Sequence, residues 1–334
     1  MSQNDLILEV LEASEQRRAA RRRFIKVASA ASAAVTGSAL LSACGDSDDG
    51  EFAPIITPTP TPTPALSDAD VLNFALNLEY LEAQFYSYAA TGSGLPANLL
   101  AGSGAQGAVT GGRQATFKDP LVAQYAREIA ADEVAHVRFL RGAIGATAVA
   151  QPAIDIGTDP NGAFSSAARA AGLVGSGVSF NPYENDENFL LGAFIFEDVG
   201  VTAYKGASPL LTNKTFLEAA AGILAAEAYH AGLVRTVLDR KGLVTPALIQ
   251  ATEAISNARD SLDGASDIDQ GIQPTGTGET AASNIAPTDS SGVAFSRTTG
   301  QVLNIAYLNK MATDRGGFFP AGVNGTIRLS TAAS

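Results

Sequence analysis

The sequence predicts an all-α protein built on a four-helix bundle, with an irregular C-terminal extension. Three observations lead to this fold class. Four long segments have the spacing of apolar residues expected of packed helices, at about residues 68–90, 119–142, 186–206 and 214–241. A connection of more than 40 residues separates the second segment from the third, whereas each half runs directly from helix to helix. Both histidines of the chain close a Glu-x-x-His motif on one of these segments.

The first element, residues 1–44, is predicted to be an export signal. Residues 21–26, RRRFIK, match the pattern of a twin-arginine signal at every position. The apolar run at 27–41 is too short, and too often interrupted by Ser, Thr and Gly, to span a bilayer. The stretch LSAC at 41–44 resembles a lipobox, so Cys44 is expected to carry a lipid and become the mature N-terminus. The alternative to the twin-arginine signal is a basic amphipathic arm, and the alternative to the lipidated Cys44 is a stray thiol. We expect the protein to be exported in its folded state to the periplasm or cell envelope.

The second element, residues 45–66, is predicted to be a linker. Its alternating Thr-Pro stretch at 57–64 favours an extended polyproline II spacer between the membrane anchor and a folded domain. Loss of residues 1–43 would change the net charge from −12 to −14, because they carry six Arg or Lys against four acids. So acidic a protein would repel nucleic acid and anionic membrane surfaces. The lipid anchor is therefore the only membrane contact expected, and nucleic acid is not an expected partner.

The helical domain is predicted to span residues 67–242, with Ser67 as the N-cap of an acidic first turn. The remainder, residues 243–334, contains a predicted helix at about 246–262 and an apolar helical stretch from Thr298 to Met311. Gly, Ser, Thr, Asn and Asp dominate the rest of it. Because its apolar patches are too sparse for a separate core, we expect residues 243–334 to wrap around the bundle.

The two Glu-x-x-His motifs are Glu133 with His136, on the second helix, and Glu227 with His230, on the fourth. Residues three apart lie on one face of a helix, so both groups of a motif can point to the same place. A single such motif is weak evidence, because a surface ion pair explains it. Two motifs on alternate helices, using every histidine available, indicate a metal site.

The first and third helices each offer one acid within an apolar seam, Glu79 and Glu197. The seams superpose with an offset of 118 residues, and the two His motifs superpose with an offset of 94, so the bundle reads as two related helical pairs. Glu82, one turn beyond Glu79, is the other candidate on the first helix. Its counterpart in the repeat is Gly200, so Glu79 is the preferred ligand.

Four carboxylates and two imidazoles in a bundle core would be costly without cations. Two divalent ions would balance the four negative charges, and mixed oxygen and nitrogen ligands suit iron or manganese, with zinc as a redox-inactive alternative. The competing interpretation is a core with protonated acids and hydrogen-bonded histidines.

The residues match the pattern of the ferritin-like superfamily, and the chain resembles bacterial ferritin-like proteins related to plant desiccation-related proteins. The resemblance covers about residues 67–330 and rests on NLEYLEAQFYSYA (77–89), ADEVAHVRFL (131–140), FEDVGVTAYKGA (196–207), AAEAYHAGLVR (225–235), FSRTTGQVLNIAYL and GGFFPAGVNG. It implies three ligand roles: terminal carboxylates (Glu79 and Glu197), bridging carboxylates (Glu133 and Glu227) and terminal nitrogens (His136 and His230).

Four further residues are weaker candidates. Tyr86 and Tyr204 each follow a ligand Glu by seven residues, so they are expected either to donate hydrogen bonds near the metals and take part in oxidation, or to be ordinary core residues. Asp132 and Asp198 flank ligands and are expected to be solvated acids, with orientation of a histidine as the alternative.

The resemblance implies a dimetal oxidoreductase that acts on peroxide, dioxygen or ferrous iron in stress protection, of peroxidase, catalase or ferroxidase type. The chain lacks the cysteines of a rubrerythrin iron centre, since Cys44 is its only one, and it lacks a core methionine for the haem of bacterioferritins. The rival hypothesis is a non-catalytic, stress-related envelope protein in which the metal only stabilises the fold. The sequence does not decide whether the protein forms a homo-oligomer, whether the metal is iron or manganese, or which substrate it uses.

Overall fold

The structure is a computed structural model of the chain and describes residues 66–333. The predicted signal, Cys44 and all but the last residue of the predicted linker lie outside the described residues. Within them lie seven α-helices, which we number in chain order: α1 (Asp68–Thr91), α2 (Pro120–Ile144), α3 (Ala163–Ala170), α4 (Asp186–Ala207), α5 (Lys214–Gly242), α6 (Ala247–Asp263) and α7 (Thr299–Ala306).

The bundle consists of α1, α2, α4 and α5, whose bounds agree with the four predicted segments to within two residues. Helix α1 packs along α2, and α4 packs along α5, while α1 and α4 meet at the centre. Both central helices are buried on most of their surface, which explains why their sequences are apolar nearly all round. The two pairs are the related halves that the sequence repeat predicts.

Side-chain caps fix where the bundle helices begin. Ser67 and Asp70 form a capping box at the start of α1. Asp119 caps α2 immediately before Pro120, a residue suited to the first turn because its missing N–H has no helical partner there. Asn213 accepts hydrogen bonds from two backbone N–H groups at the start of α5. These local signals place the helices in the register that turns their ligand residues inward.

The connections are more ordered than the sequence predicts. Strands β1 (Val109–Thr110) and β2 (Ile154–Asp155) pair in parallel and tie the α1–α2 loop to the long crossover between α2 and α4. The crossover also contains α3. Neither the strands nor α3 was predicted, because two-residue strands depend on a distant partner and carry no periodicity of their own.

The C-terminal extension is joined to the bundle by buried ion pairs. Arg259 contacts Asp198 of α4 at 3.1 Å and Asp269 at 2.6 Å, and Arg297 contacts Asp269 at 2.7 Å. Arg235 of α5 contacts Asp198 at 2.9 Å and also donates to backbone carbonyls of the extension. The expectation that Asp198 is a solvated acid is wrong: it is 6% exposed, because the extension covers it and supplies its partner Arg259.

Helix α7 ends earlier than the sequence predicts. The apolar stretch reaches Met311, but the helix stops at Ala306 and Leu308 adopts a left-handed conformation with φ of 52°. The turn lets the buried Tyr307 donate a hydrogen bond to the backbone of Arg328. Packing of the following segment against α7 therefore outweighs the helical propensity of residues 307–311. In the part of the chain that the structure describes, no helix has both the length and the apolarity needed to cross a bilayer.

Candidate metal centre

The structure brings the six side chains that the sequence singled out to one place in the bundle core: Glu79 on α1, Glu133 and His136 on α2, Glu197 on α4, and Glu227 and His230 on α5. The four carboxylates are at most 1% exposed. The two imidazole rings lie 6.3 Å apart between centroids. Neither of the acids on the central helices faces solvent.

Glu133 lies between the two histidines. Its Oε2 is 3.5 Å from His136 Nδ1, and its Oε1 is 3.2 Å from His230 Nδ1. Each histidine also faces the acid of a central helix: His136 Nδ1 is 3.2 Å from Glu79 Oε2, and His230 Nδ1 is 3.7 Å from Glu197 Oε2. This arrangement agrees with one carboxylate bridging two positions, each completed by one histidine and one further acid.

The donor atoms form two groups in which all ligand atoms lie within 4.8 Å of one another. One group contains Glu79, Glu133, His136 and Glu227, and the other contains Glu197, Glu227 and His230. Glu227 belongs to both. A carboxylate shared by two overlapping groups would be able to contribute to either ion position.

Several of these atoms have no hydrogen-bond partner among the described residues: both oxygens of Glu133, both oxygens of Glu227, Glu197 Oε2 and His230 Nδ1. A buried polar atom without a partner costs about 1–3 kcal/mol, and more when it is charged. So many at one point are explained by cations, since carboxylate oxygen and imidazole nitrogen are donors for divalent metals. The residues therefore fit a metal site.

The charges of the metal-free cluster follow from burial and from the histidines. Burial, strengthened by the charge of Glu133, raises the pKa of Glu79 to about 7. Burial also raises the pKa of Glu197 to about 8, and that of Glu227 well above its usual range. Burial would raise the pKa of Glu133 as well, but the two histidines, at 3.5 and 3.2 Å from its oxygens, outweigh it and hold the pKa at about 2. Without metal, protons therefore take the place of cations in this core.

The pKa values of the two histidines shift upward, opposite to the direction that burial alone would give. Burial alone would lower the pKa of His136, but the carboxylates of Glu133 and Glu79 raise it to about 11. The pKa of His230 rises in the same way to about 9, mainly through Glu133 and Glu197. Metal binding must displace these protons, because only the neutral imidazole has a lone pair to donate.

Tyr86 and Tyr204 reach across the bundle to the ligand of the opposite half. The Tyr86 hydroxyl donates to Glu197 Oε1, and the Tyr204 hydroxyl donates to Glu79 Oε1. Burial raises the pKa of both hydroxyls, so they remain protonated donors. Each tyrosine thus holds one oxygen of a carboxylate and leaves Oε2 directed to the histidine side.

Asp132 contacts the far side of His230. Its Oδ2 lies 3.2 Å from His230 Nε2, while its side chain is 50% exposed. A carboxylate on one ring nitrogen fixes the other nitrogen toward the metal position. The sequence predicts a solvated acid here; the structure shows a half-exposed acid that also contacts the histidine. The equivalent position in the repeat is Ala226, so His136 has no such carboxylate from α5.

Glu82 also lies in this core, 6% exposed, although the repeat favoured Glu79 over it. Burial and the charge of Glu133 raise its pKa well above the usual range. The repeat itself contains a sign of this difference. At the offset of 118 residues, Glu82 of α1 corresponds to Gly200 of α4, so an acid in one half is matched by a residue without a side chain in the other.

Comparisons with known proteins agree with this architecture. A sequence profile of the family described as a ferritin-like domain matches residues 67–240. The chain is 29% identical over 270 residues to the ferritin-like catalase Nec2 of Nesocodon mauritianus, covering 78% of this chain and 85% of the relative. It is also 29% identical over 270 residues to the desiccation-related protein PCC13-62 of Craterostigma plantagineum, covering 78% of this chain and 83% of that protein. No solved structure gives a significant match.

Proposed function

Because the chain belongs to the ferritin-like domain family over residues 67–240, we propose that it is an exported dimetal oxidoreductase that consumes hydrogen peroxide. Its core holds two ions of iron or manganese and converts two molecules of peroxide to two of water and one of dioxygen. Zinc is the redox-inactive alternative occupant. Dioxygen and ferrous iron are the other substrates that the same centre would accept.

The observation that carries the proposal is the set of unpartnered oxygen and nitrogen atoms at one buried point, on Glu133, Glu197, Glu227 and His230. Four buried carboxylates would bring four negative charges, which two divalent ions neutralise, and the imidazoles complete the donor set while neutral. A pair of redox-active metal ions, once bound, would exchange the two electrons that peroxide chemistry requires.

The protein's own residues would position this donor set. Tyr204 and Tyr86 hold Oε1 of Glu79 and Glu197, which keeps each Oε2 turned to the centre. Asp132 on Nε2 of His230 directs Nδ1 inward. Because such groups are already ordered in the folded chain, metal binding and reaction would need little rearrangement.

The space beside the cluster favours a small substrate. A cavity bordered by Glu82 and Gly200 has a volume of about 30 Å³, and its other walls are apolar side chains such as Leu78, Val199 and Ile305. That volume holds about one water-sized molecule. Peroxide and dioxygen are of this size, whereas an organic substrate would have to displace core side chains.

The choice of peroxide among small oxidants is supported by one relative, which is named a ferritin-like catalase. The competing proposal is a non-catalytic protein in which metal only stabilises the bundle. It is supported by an equally similar relative, which is named a desiccation-related protein. The two proposals share the metal site and differ in whether peroxide turns over.

We further propose that the chain acts in the cell envelope. The support is the motif RRRFIK at 21–26 and the single cysteine, Cys44, at the end of LSAC. Fractionation of cells expressing the full chain tests this. The wild type is expected in the membrane fraction and Cys44→Ala in the soluble envelope fraction; an unchanged distribution rejects the lipid anchor.

Peroxide turnover is tested by measuring oxygen release from the purified chain after its metal content has been determined. We expect one dioxygen per two peroxides, and loss of release in His136→Ala, with Glu128→Gln on the exposed face of α2 as the matched control. Bound metal without oxygen release or peroxide consumption would favour the non-catalytic protein. Release that is unchanged in His136→Ala would place the activity elsewhere.

A further inference from the structure

Glu82 is a fifth buried carboxylate in a core for which the superfamily pattern uses four. Its side chain is 6% exposed and therefore more than nine-tenths buried. None of the described residues donates a hydrogen bond to its carboxylate. The nearby charges that act on it are those of Glu133, Glu197 and Glu79. An acid buried in this way is stabilised by a cation or a proton, because none of the described residues donates a hydrogen bond to it.

Gly200 supplies the space in which Glu227 approaches this side chain. A Cβ atom at position 200 would lie 2.4 Å from Glu227 Oε2 and 3.5 Å from Glu82 Oε1. The two carboxylates therefore converge over the bare backbone of α4. A glycine inside a helix costs about 1 kcal/mol relative to alanine, so its position here is explained by what it makes room for.

The other side of Glu82 offers no polar partner. Among the described residues it faces the small cavity whose walls include Leu81, Phe196 and Phe318. The carboxylate thus lies between these apolar side chains and the candidate metal ligands.

The two donor groups are unequal without Glu82. The group around His136 has four protein residues, whereas the group of Glu197, Glu227 and His230 has three. Glu82 Oε1 and Glu227 Oε2 meet over Gly200, which lies about one helical turn after Glu197 on the same face of α4. Glu82 therefore lies on the side of Glu197 and Glu227. Its oxygens are outside both groups, so it would turn toward the smaller one to bind an ion there.

We propose that Glu82 is a seventh metal-binding residue, which completes the ion position formed by Glu197, Glu227 and His230. This inference rests on the proposed dimetal site and adds a ligand to it. With five carboxylates the centre has one negative charge more than two divalent ions neutralise. The position served by Glu82 therefore binds its ion more tightly than three residues alone would, and it favours a trivalent state of that ion.

Metal titration tests the assignment without relying on activity. Apo-protein is titrated with Mn²⁺ by calorimetry, and the bound metal is counted by elemental analysis after gel filtration. Wild type is expected to bind two ions. In Glu82→Gln, which keeps the shape and removes the charge, we expect one of the two to bind about 10-fold or more weakly while the other is unchanged. Glu128→Gln, at an exposed position of α2, is the matched control and should titrate as wild type does.

The outcomes separate the two proposals. If wild type binds two ions and Glu82→Gln binds both with wild-type affinity, Glu82 is not a ligand and the dimetal site still holds. If wild type binds no ions, the proposed function itself fails. Should Glu82→Gln not fold, Glu82→Asp decides in its place: withdrawing the carboxylate by one methylene is expected to weaken the same ion, and unchanged binding of both ions overturns the proposal.

Discussion

Tyr204 on α4 donates its hydroxyl hydrogen to Glu79 on α1, across the centre of the bundle. The same bond occurs in the other half of the repeat, from Tyr86 to Glu197, with both members displaced by 118 residues. The two bonds cross-link the two helical pairs at the level of the candidate metal ligands. Each central helix thus supplies a candidate ligand to its own half and a hydrogen-bond donor to the other half.

Removal of one of these hydroxyls should destabilise the fold and loosen a ligand. In Tyr204→Phe, Glu79 Oε1 loses its donor while remaining buried, which costs about 1–3 kcal/mol. Thermal unfolding of the metal-free protein is expected to show a lower midpoint. Tyr229→Phe is the matched control, because Tyr229 is 79% exposed and should change little. Equal midpoints for Tyr204→Phe and wild type would show that the bond contributes nothing.

The contact of Asp132 with His230 predicts an effect on metal affinity. Asp132→Asn removes the carboxylate that holds Nε2, so His230 is expected to present Nδ1 less well and metal affinity to fall about 10- to 100-fold. The same competition with a metal chelator, applied to Glu218→Asn on the exposed surface of α5, should give the wild-type value. An Asp132→Asn protein that holds metal as tightly as wild type would mean that the contact does not orient the histidine.

The fold and the meeting of the ligand-type residues could be predicted from sequence because both depend on local signals. Helical periodicity and the caps at Ser67, Asp119 and Asn213 define the helices, and the repeat selects one acid per central helix. The match to the ferritin-like domain family confirms the predicted all-α, ferritin-like fold. The export signal, the lipid anchor and the domain limits stay predictions.

What the sequence could not give depends on contacts between distant segments. Asp198 is buried because Arg259 and the extension reach it from more than 60 residues away along the chain. Asp132 contacts a histidine 98 residues away. The repeat predicts Glu79 rather than Glu82 as the ligand, because the counterpart of Glu82 is Gly200; the structure buries Glu82 as well, beside Gly200.

The pH dependence of the metal-free protein should be the reverse of ordinary acid denaturation. The pKa values of Glu79 and Glu197 are raised to about 7 and about 8, so their contribution to stability is complete below pH 4.5 and is lost as the pH rises through those values. His136, with its pKa at about 11, and His230, at about 9, contribute fully below pH 6.5 and lose stability at higher pH. Glu133, held at about 2, contributes stability that is complete above pH 4.5 and is lost only as the pH falls from there, so it does not oppose the trend above pH 4.5.

Metal reverses this dependence, because it binds the deprotonated ligands. The rise in unfolding midpoint on adding Mn²⁺ is therefore expected to grow between pH 5 and pH 8, to on the order of 5–10 °C. Scanning calorimetry with and without metal at several pH values measures it. A gain that shrinks as the pH rises would contradict the assigned protonation states.

The buried ion pairs predict that the extension depends on Arg297. This side chain is 1% exposed and contacts Asp263 at 2.6 Å and Asp269 at 2.7 Å. Arg297→Met leaves both acids buried without it, which costs about 3–5 kcal/mol. Denaturant unfolding is expected to show the loss, whereas Arg315→Met, at an exposed pair with Asp314, should stay within about 0.5 kcal/mol of wild type. Similar midpoints for the two variants would mean that the network does not stabilise the fold.

The central claim is that two cations neutralise the buried acids of the bundle, and it is tested most directly by counting metal ions per chain in the purified protein. Elemental analysis should find two ions of iron or manganese in wild type and a clear loss in Glu133→Gln, since Glu133 faces both histidines. A wild-type protein that is folded and contains no metal after growth with iron and manganese would contradict the account, as would a Glu133→Gln protein that retains two ions.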